Sequence, residues 1–131
     1  MKKTTALLAW DDKYTTNINT RLHKLAADEP SEVGGNDEAP TPMELLMSAL
    51  AACTAITIKM YAQRKEWKFD SIEVIVKYSE DDAEEGFKKS IQFLGHQFTD
   101  DQFKRLLMIS EKCPVNKLIN GGAKTSTELI K

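Results

Sequence analysis

Residues 41–65 read TPMELLMSALAACTAITIKMYAQRK, and the fold class turns on this stretch. Thr41 stands where an N-cap belongs, Pro42 at the first helical position, and Glu44, three residues after the cap, completes a capping box. The pattern predicts a helix from Pro42 to about Lys65. Its middle is apolar on every side, as in a helix enclosed within a domain rather than lying on its surface. With about 100° per residue, Leu46, Ala49, Leu50, Ile56, Thr57 and Met60 share a side with Cys53, at the centre of this helix. A thiol so placed loses its hydration and is inert unless a cation or a hydrogen-bond donor compensates.

Working outward, residues 3–9 and 14–26 carry Thr, Ile, Leu and aromatic side chains around the turn-prone Asp11-Asp12-Lys13. They read as a hairpin or short meander, with Arg21 and His23 on one strand face. The segment DEPSEVGGNDEAPT, residues 28–41, has two prolines, two glycines and no apolar period. It is a long loop, either functional or interface-forming, or simply a disordered surface segment. Beyond the helix, residues 71–78 and 87–98 alternate as an antiparallel hairpin across the charged turn 80–86. Thr99-Asp100-Asp101-Gln102 repeats the capping-box logic and opens an amphipathic helix ending near Lys112. Cys113-Pro114 starts a short helical turn closed by Gly121-Gly122, and residues 124–130 read as a last strand. The sum is an α+β fold, antiparallel sheets around a long buried central helix. One small sheet cannot cover a helix that is apolar all round, so a homodimer with a large apolar interface is expected.

The 131 residues suffice for one domain, and the net charge of −2 is spread without a basic stripe, which argues against a nucleic-acid partner. The start MKKTT is followed by too short an apolar run for a signal peptide. The charge-free run 45–58 falls short of the roughly 20 residues that cross a bilayer, so no membrane span is expected and the protein is placed in the cytoplasm. Two cysteines sixty residues apart fit neither a zinc site nor a disulfide scaffold, and His23 and His96 each stand alone on predicted strands. No metal and no cofactor are expected. Cys113 precedes a helix N-terminus, whose free N–H groups favour a thiolate, or it is merely a cap of convenient size. On these grounds each cysteine remains either an inert thiol or half of a redox pair.

The run PTPMELLMSALAACTAITIKMYAQRKEW, together with SEKCPVNKL and the upstream TRLHKLAADEPSEVGGND, resembles the osmotically inducible protein C and organic hydroperoxide resistance (OsmC/Ohr) family. The likeness extends from about Thr20 to Leu118 and treats residues 1–131 as a single OsmC-like domain. It implies an intertwined homodimer and a thiol-dependent peroxidase acting on organic hydroperoxides, an organic hydroperoxide reductase of the antioxidant stress response. In that scheme Cys53 is the peroxidatic and Cys113 the resolving cysteine, and a dithiol reductant of the lipoyl type restores both. Strongly active members pair an arginine from the first strands with a glutamate ten residues before the helix cysteine; here that position is Met43. Glu44 is explained by the capping box and faces away from Cys53. Arg21 is the candidate activating cation, with His23 beside it. The alternative is a ligand-binding or redox-sensing protein of the same fold with little peroxidase turnover, and a third reading makes both thiols structural.

Overall fold

The computed structural model describes residues 2–130 and divides after Met47 into two units. The first holds a three-stranded antiparallel meander, β1 (Thr5–Leu7), β2 (Thr16–Thr20) and β3 (His23–Ala27), with Ala6 opposite Ile18 and Ile18 opposite Leu25. The predicted turn at residues 11–13 forms a 3-10 turn over Trp10–Asp12. Residues 21 and 22, read from the sequence as strand, form the β2–β3 turn instead. Arg21 takes a left-handed φ of 52°, so the argument that places it on one strand face with His23 fails.

The acidic loop after β3 is ordered by one buried carboxylate. Asp28 accepts hydrogen bonds from the Thr15 hydroxyl (2.8 Å) and the backbone N–H groups of Glu29 (2.8 Å), Asn36 (3.4 Å) and Glu38 (3.2 Å). Burial works against its charge, but these four donors together hold its carboxyl below the usual carboxylate range. Gly35 is required where it stands, because a Cβ there would collide with the Glu29 backbone.

Helix α1 (Pro42–Lys65) has the predicted bounds and the predicted capping box: Thr41 Oγ1 accepts from the Glu44 N–H at 3.1 Å and Glu44 Oε1 from the Thr41 N–H at 3.0 Å. With 24 residues and a mean hydropathy of 1.6 in its most apolar window, it is long and apolar enough by composition to cross a membrane, where the charge-free run alone is too short. The helix closes in a Schellman arrangement, with Trp67 N–H donating to the Ala62 carbonyl at 2.9 Å and Glu66 in the left-handed region.

In the second unit, β4 (Ser71–Ser79) pairs antiparallel with β5 (Gly86–Leu94), followed by α2 (Asp100–Ser110) and α3 (Pro114–Gly121). One face of the hairpin alternates inward, and its Ile72, Ile91 and Phe93 pack on a core of Ile58, Tyr61, Leu106 and Ile109. The second strand stops at Leu94 rather than Phe98, because Gly95 turns with φ 68° against the Asp70 side chain. His96 therefore sits in a loop, not on a strand, stacked on Phe98. Thr99 and Gln102 form the predicted capping box of α2. Residues 124–130 form no strand: they are exposed and join no ladder, and a strand exists only as part of one.

The all-round apolar pattern of α1 resolves into two faces. Leu50, Thr54, Ile58, Tyr61 and Ala62 are buried, while Ala49, Ile56 and Met60 are exposed, the last two at 55% and 57%. Cys53 lies at the margin, half-buried, rather than in the desolvated centre that its helical period suggests.

Candidate active site

Two polar residues interrupt otherwise apolar stripes, and they meet. The inward face of β5 runs Phe87, Lys89, Ile91, Phe93, so alternation carries a lysine into the packed side of the hairpin, opposite Val76. The buried stripe of α1 runs Leu50, Thr54, Ile58, and so brings in a hydroxyl. The Lys89 ammonium donates to Thr54 Oγ1 at 3.1 Å and to the Ser110 carbonyl at 2.8 Å. That carbonyl ends α2, and the residue four positions on is Pro114, which has no N–H to offer it. The sequence Ser110-Glu111-Lys112-Cys113-Pro114 thus leaves an acceptor at the negative end of a helix dipole for a lysine to take.

Cys113 is fully buried and is the N-cap of α3; its Sγ accepts from the Asn116 N–H at 3.3 Å. Thr54 Oγ1 lies 3.7 Å from the same sulfur. Since an ammonium can only donate, Thr54 Oγ1 is Lys89's acceptor; toward the Cys113 sulfur the hydroxyl accepts from a thiol or donates to a thiolate. The Cys53 side chain is also within hydrogen-bonding reach of the Cys113 sulfur, and both cysteines are free. Burial pushes the Cys113 thiol up. The Asn116 N–H, the Cys53 thiol, the Thr54 hydroxyl and the positive charge of Lys89 pull it down, and together they hold it below the ordinary thiol value.

The two cysteines that the sequence pairs at long range are thus adjacent. Arg21 lies exposed in the β2–β3 turn of the first unit, with His23 opening β3. The cation in contact with the thiol cluster is Lys89, which the sequence reading misses along with Thr54 and Asn116. Beside the cluster lies a cleft of about 520 Å³ lined by Leu50, Phe87 and Ile119, with Lys89, Asn116 and Glu111 among its polar residues. Among the described residues no group of three or more His, Cys, Asp or Glu side chains is arranged to hold a metal.

Residues 34–128 match the family model described as OsmC-like protein. The chain belongs to the OsmC-like family. No match was found among curated proteins. Solved structures of similar fold include an OsmC-like protein from Mycoplasma pneumoniae, 19% identical over 93% of this chain and 89% of that one, with a TM-score of 0.71. A Legionella pneumophila structure described as an organic hydroperoxide resistance protein OsmC is 22% identical over 92% and 90% of the two chains, with a TM-score of 0.63. The organic hydroperoxide resistance protein OhrB of Bacillus subtilis is 20% identical over 93% and 92%, with a TM-score of 0.57. At these identities the likeness establishes the OsmC fold: α+β, with antiparallel sheets and a long helix.

Proposed function

We propose that this OsmC-like protein is a cytoplasmic thiol peroxidase that reduces organic hydroperoxides without a cofactor. The observation that carries the reading is that Cys53 lies within hydrogen-bonding reach of Cys113, amid donors that hold the Cys113 thiol below its ordinary value. Family membership and the hydroperoxide resistance named for the Legionella and Bacillus relatives support a redox role in stress defence.

In this scheme the Cys53 thiolate attacks the distal oxygen of ROOH, the O–O bond breaks, and the departing alkoxide takes a proton to become the alcohol. Cys53 is left as a sulfenic acid. The Cys113 thiolate then attacks the Cys53 sulfur, hydroxide leaves and is protonated to water, and a disulfide joins the two residues. A dithiol of the lipoyl type supplies the two electrons that restore both thiols. Leu50, Phe87 and Ile119 are the part of this mixed cleft that can take the organic group of such a peroxide. Arg21 is the proposal's second cation, reaching the chemistry only if the β2–β3 turn presents it to a thiolate. A second copy of the chain is the occupant proposed for the exposed Ala49, Ile56 and Met60 face, making the active form a homodimer.

One observation favours the sensing alternative: Met43, 41% exposed, stands ten residues before Cys53, where the family resemblance implies a glutamate in strongly active members. Steady-state consumption of cumene hydroperoxide with a lipoyl dithiol separates the two readings. Peroxidase function requires sustained turnover, its loss in Cys53→Ser, and a dimedone-trappable sulfenic acid in Cys113→Ser. A single round of oxidation without turnover would leave the sensor.

A further inference from the structure

We propose that Lys89, acting through the Thr54 hydroxyl, is a positioning residue that makes Cys113 the departing thiolate of the Cys53–Cys113 disulfide, so that an external thiol attacks at Cys53. The redox roles rest on the peroxidase reading; the chain of donors does not.

A lysine on the packed face of a hairpin costs free energy unless its charge is answered. Lys89 is half-buried, and its two acceptors, a hydroxyl and a backbone carbonyl, are both neutral. Among the described residues no carboxylate forms an ion pair with it, although Glu85 and Glu111 line the same cleft. The α2 dipole answers only part of that charge. What stands one hydroxyl away is Cys113, completely buried. A cation whose acceptors are neutral and a buried thiol thus share one hydroxyl, which accepts from the first and lies 3.7 Å from the sulfur of the second. As a thiolate, Cys113 accepts from both Thr54 and Asn116 and supplies the negative charge that Lys89 lacks. The groups facing this sulfur are Cys53 and Thr54 from α1, Lys89 from β5, and Asn116 from α3, with Glu111 beside the cleft at the end of α2.

The consequence for the reductive half-reaction is directional. A reductant thiolate attacks one sulfur of the disulfide, the S–S bond breaks, and its electron pair leaves on the other sulfur. The sulfur that becomes the better-stabilised thiolate leaves faster. Cys113 has the stabilising donors and no exposure, whereas Cys53 is half-exposed and is the sulfur a reductant can reach. Attack therefore falls on Cys53, the mixed disulfide forms there, and the reductant's second thiolate displaces Cys53 as it closes its own disulfide. The dithiol supplies two electrons and its two protons.

The test uses neither peroxide nor reductant. Cys113 is titrated in reduced full-length Cys53→Ser protein by the pH dependence of its 13Cβ shift, then again with Lys89→Met, Lys89→Arg or Thr54→Val added. The proposal expects Lys89→Met to move the midpoint upward, with about tenfold less thiolate at neutral pH. Thr54→Val should move it the same way, and Lys89→Arg should restore most of the effect. An unchanged midpoint in folded Lys89→Met, or in Thr54→Val if the Met variant does not fold, would overturn it. The expected shifts combined with absence of peroxide turnover would uphold the chain of donors and remove the peroxidase reading alone.

Discussion

Removal of the Thr54 hydroxyl has an energetic consequence that can be worked out before any assay of activity. Thr54→Val is close to isosteric, and residue 54 is fully buried, so the substitution puts a methyl group in place of a hydroxyl that bonds Lys89 strongly and the Cys113 sulfur weakly at 3.7 Å. A hydrogen bond to a charged donor contributes about 1.5–3 kcal/mol, and the added buried methyl returns about 0.8 kcal/mol. The net loss expected is about 1–2 kcal/mol. Lys89→Met alone strands the Thr54 oxygen and the Ser110 carbonyl, which now bond the ammonium at 3.1 and 2.8 Å, while relieving a desolvated charge; it too should cost about 1–2 kcal/mol. Once Lys89 is Met the Thr54 oxygen has no ammonium to lose, so Thr54→Val costs little in that background, while the stranded Ser110 carbonyl is common to the single and double variants. The double-mutant cycle should therefore give a coupling of about 1–2 kcal/mol, measured by urea unfolding of reduced protein at one fixed concentration. Additive losses, with a coupling below about 0.3 kcal/mol, would refute the Lys89–Thr54 link on which the reading of the thiol cluster depends.

Three further outcomes follow from the same structure. Because the folded Asp28 carboxyl titrates below the usual value, its contribution to stability is fully present above the unfolded carboxylate pKa of about 3.9 and is lost as pH falls through the lower folded value. Hydrogen exchange at the Asn36 and Glu38 amides should rise in that acid window, and Asp28→Asn should show the same loosening at neutral pH. Glu66 occupies the left-handed position that ends α1, so Glu66→Gly should stabilise the fold by about 0.5–1 kcal/mol in thermal unfolding. Met60→Glu, on the exposed apolar face of α1, should shift the sedimentation coefficient from dimer toward monomer; an unchanged coefficient would move the interface elsewhere.

The parts of this fold legible in the sequence are those with local causes. Thr41 with Glu44 and Thr99 with Gln102 announce two helix starts through side chains three residues apart, and Pro114 after Cys113 announces a third. The cysteine pairing was also readable, through family resemblance rather than geometry. What was missed depends on distant partners. Lys89 could have been flagged, since Phe87, Ile91 and Phe93 fix an inward face that includes it, but that its partners would be Thr54 and a carbonyl orphaned by Pro114 is a tertiary fact. The reversal at Arg21 lacks glycine or asparagine, so nothing local marked it as a turn. Thr125, Thr127 and Ile130 give residues 124–130 the composition of a strand, yet the chain pairs them with nothing. A helix apolar on all sides does not say which stripe will be buried, and so Cys53 was placed deeper than it lies.

The central claim is that Cys53 and Cys113 form one redox couple serving organic hydroperoxides, and single-turnover oxidation of the reduced protein tests it most directly. Cumene hydroperoxide and hydrogen peroxide would be mixed separately with the protein in equal amount, quenched over time, and the products mapped by peptide mass spectrometry. The account predicts faster oxidation by the organic peroxide and a Cys53–Cys113 disulfide as the product. Slow reaction with both peroxides, leaving both thiols intact, would contradict it.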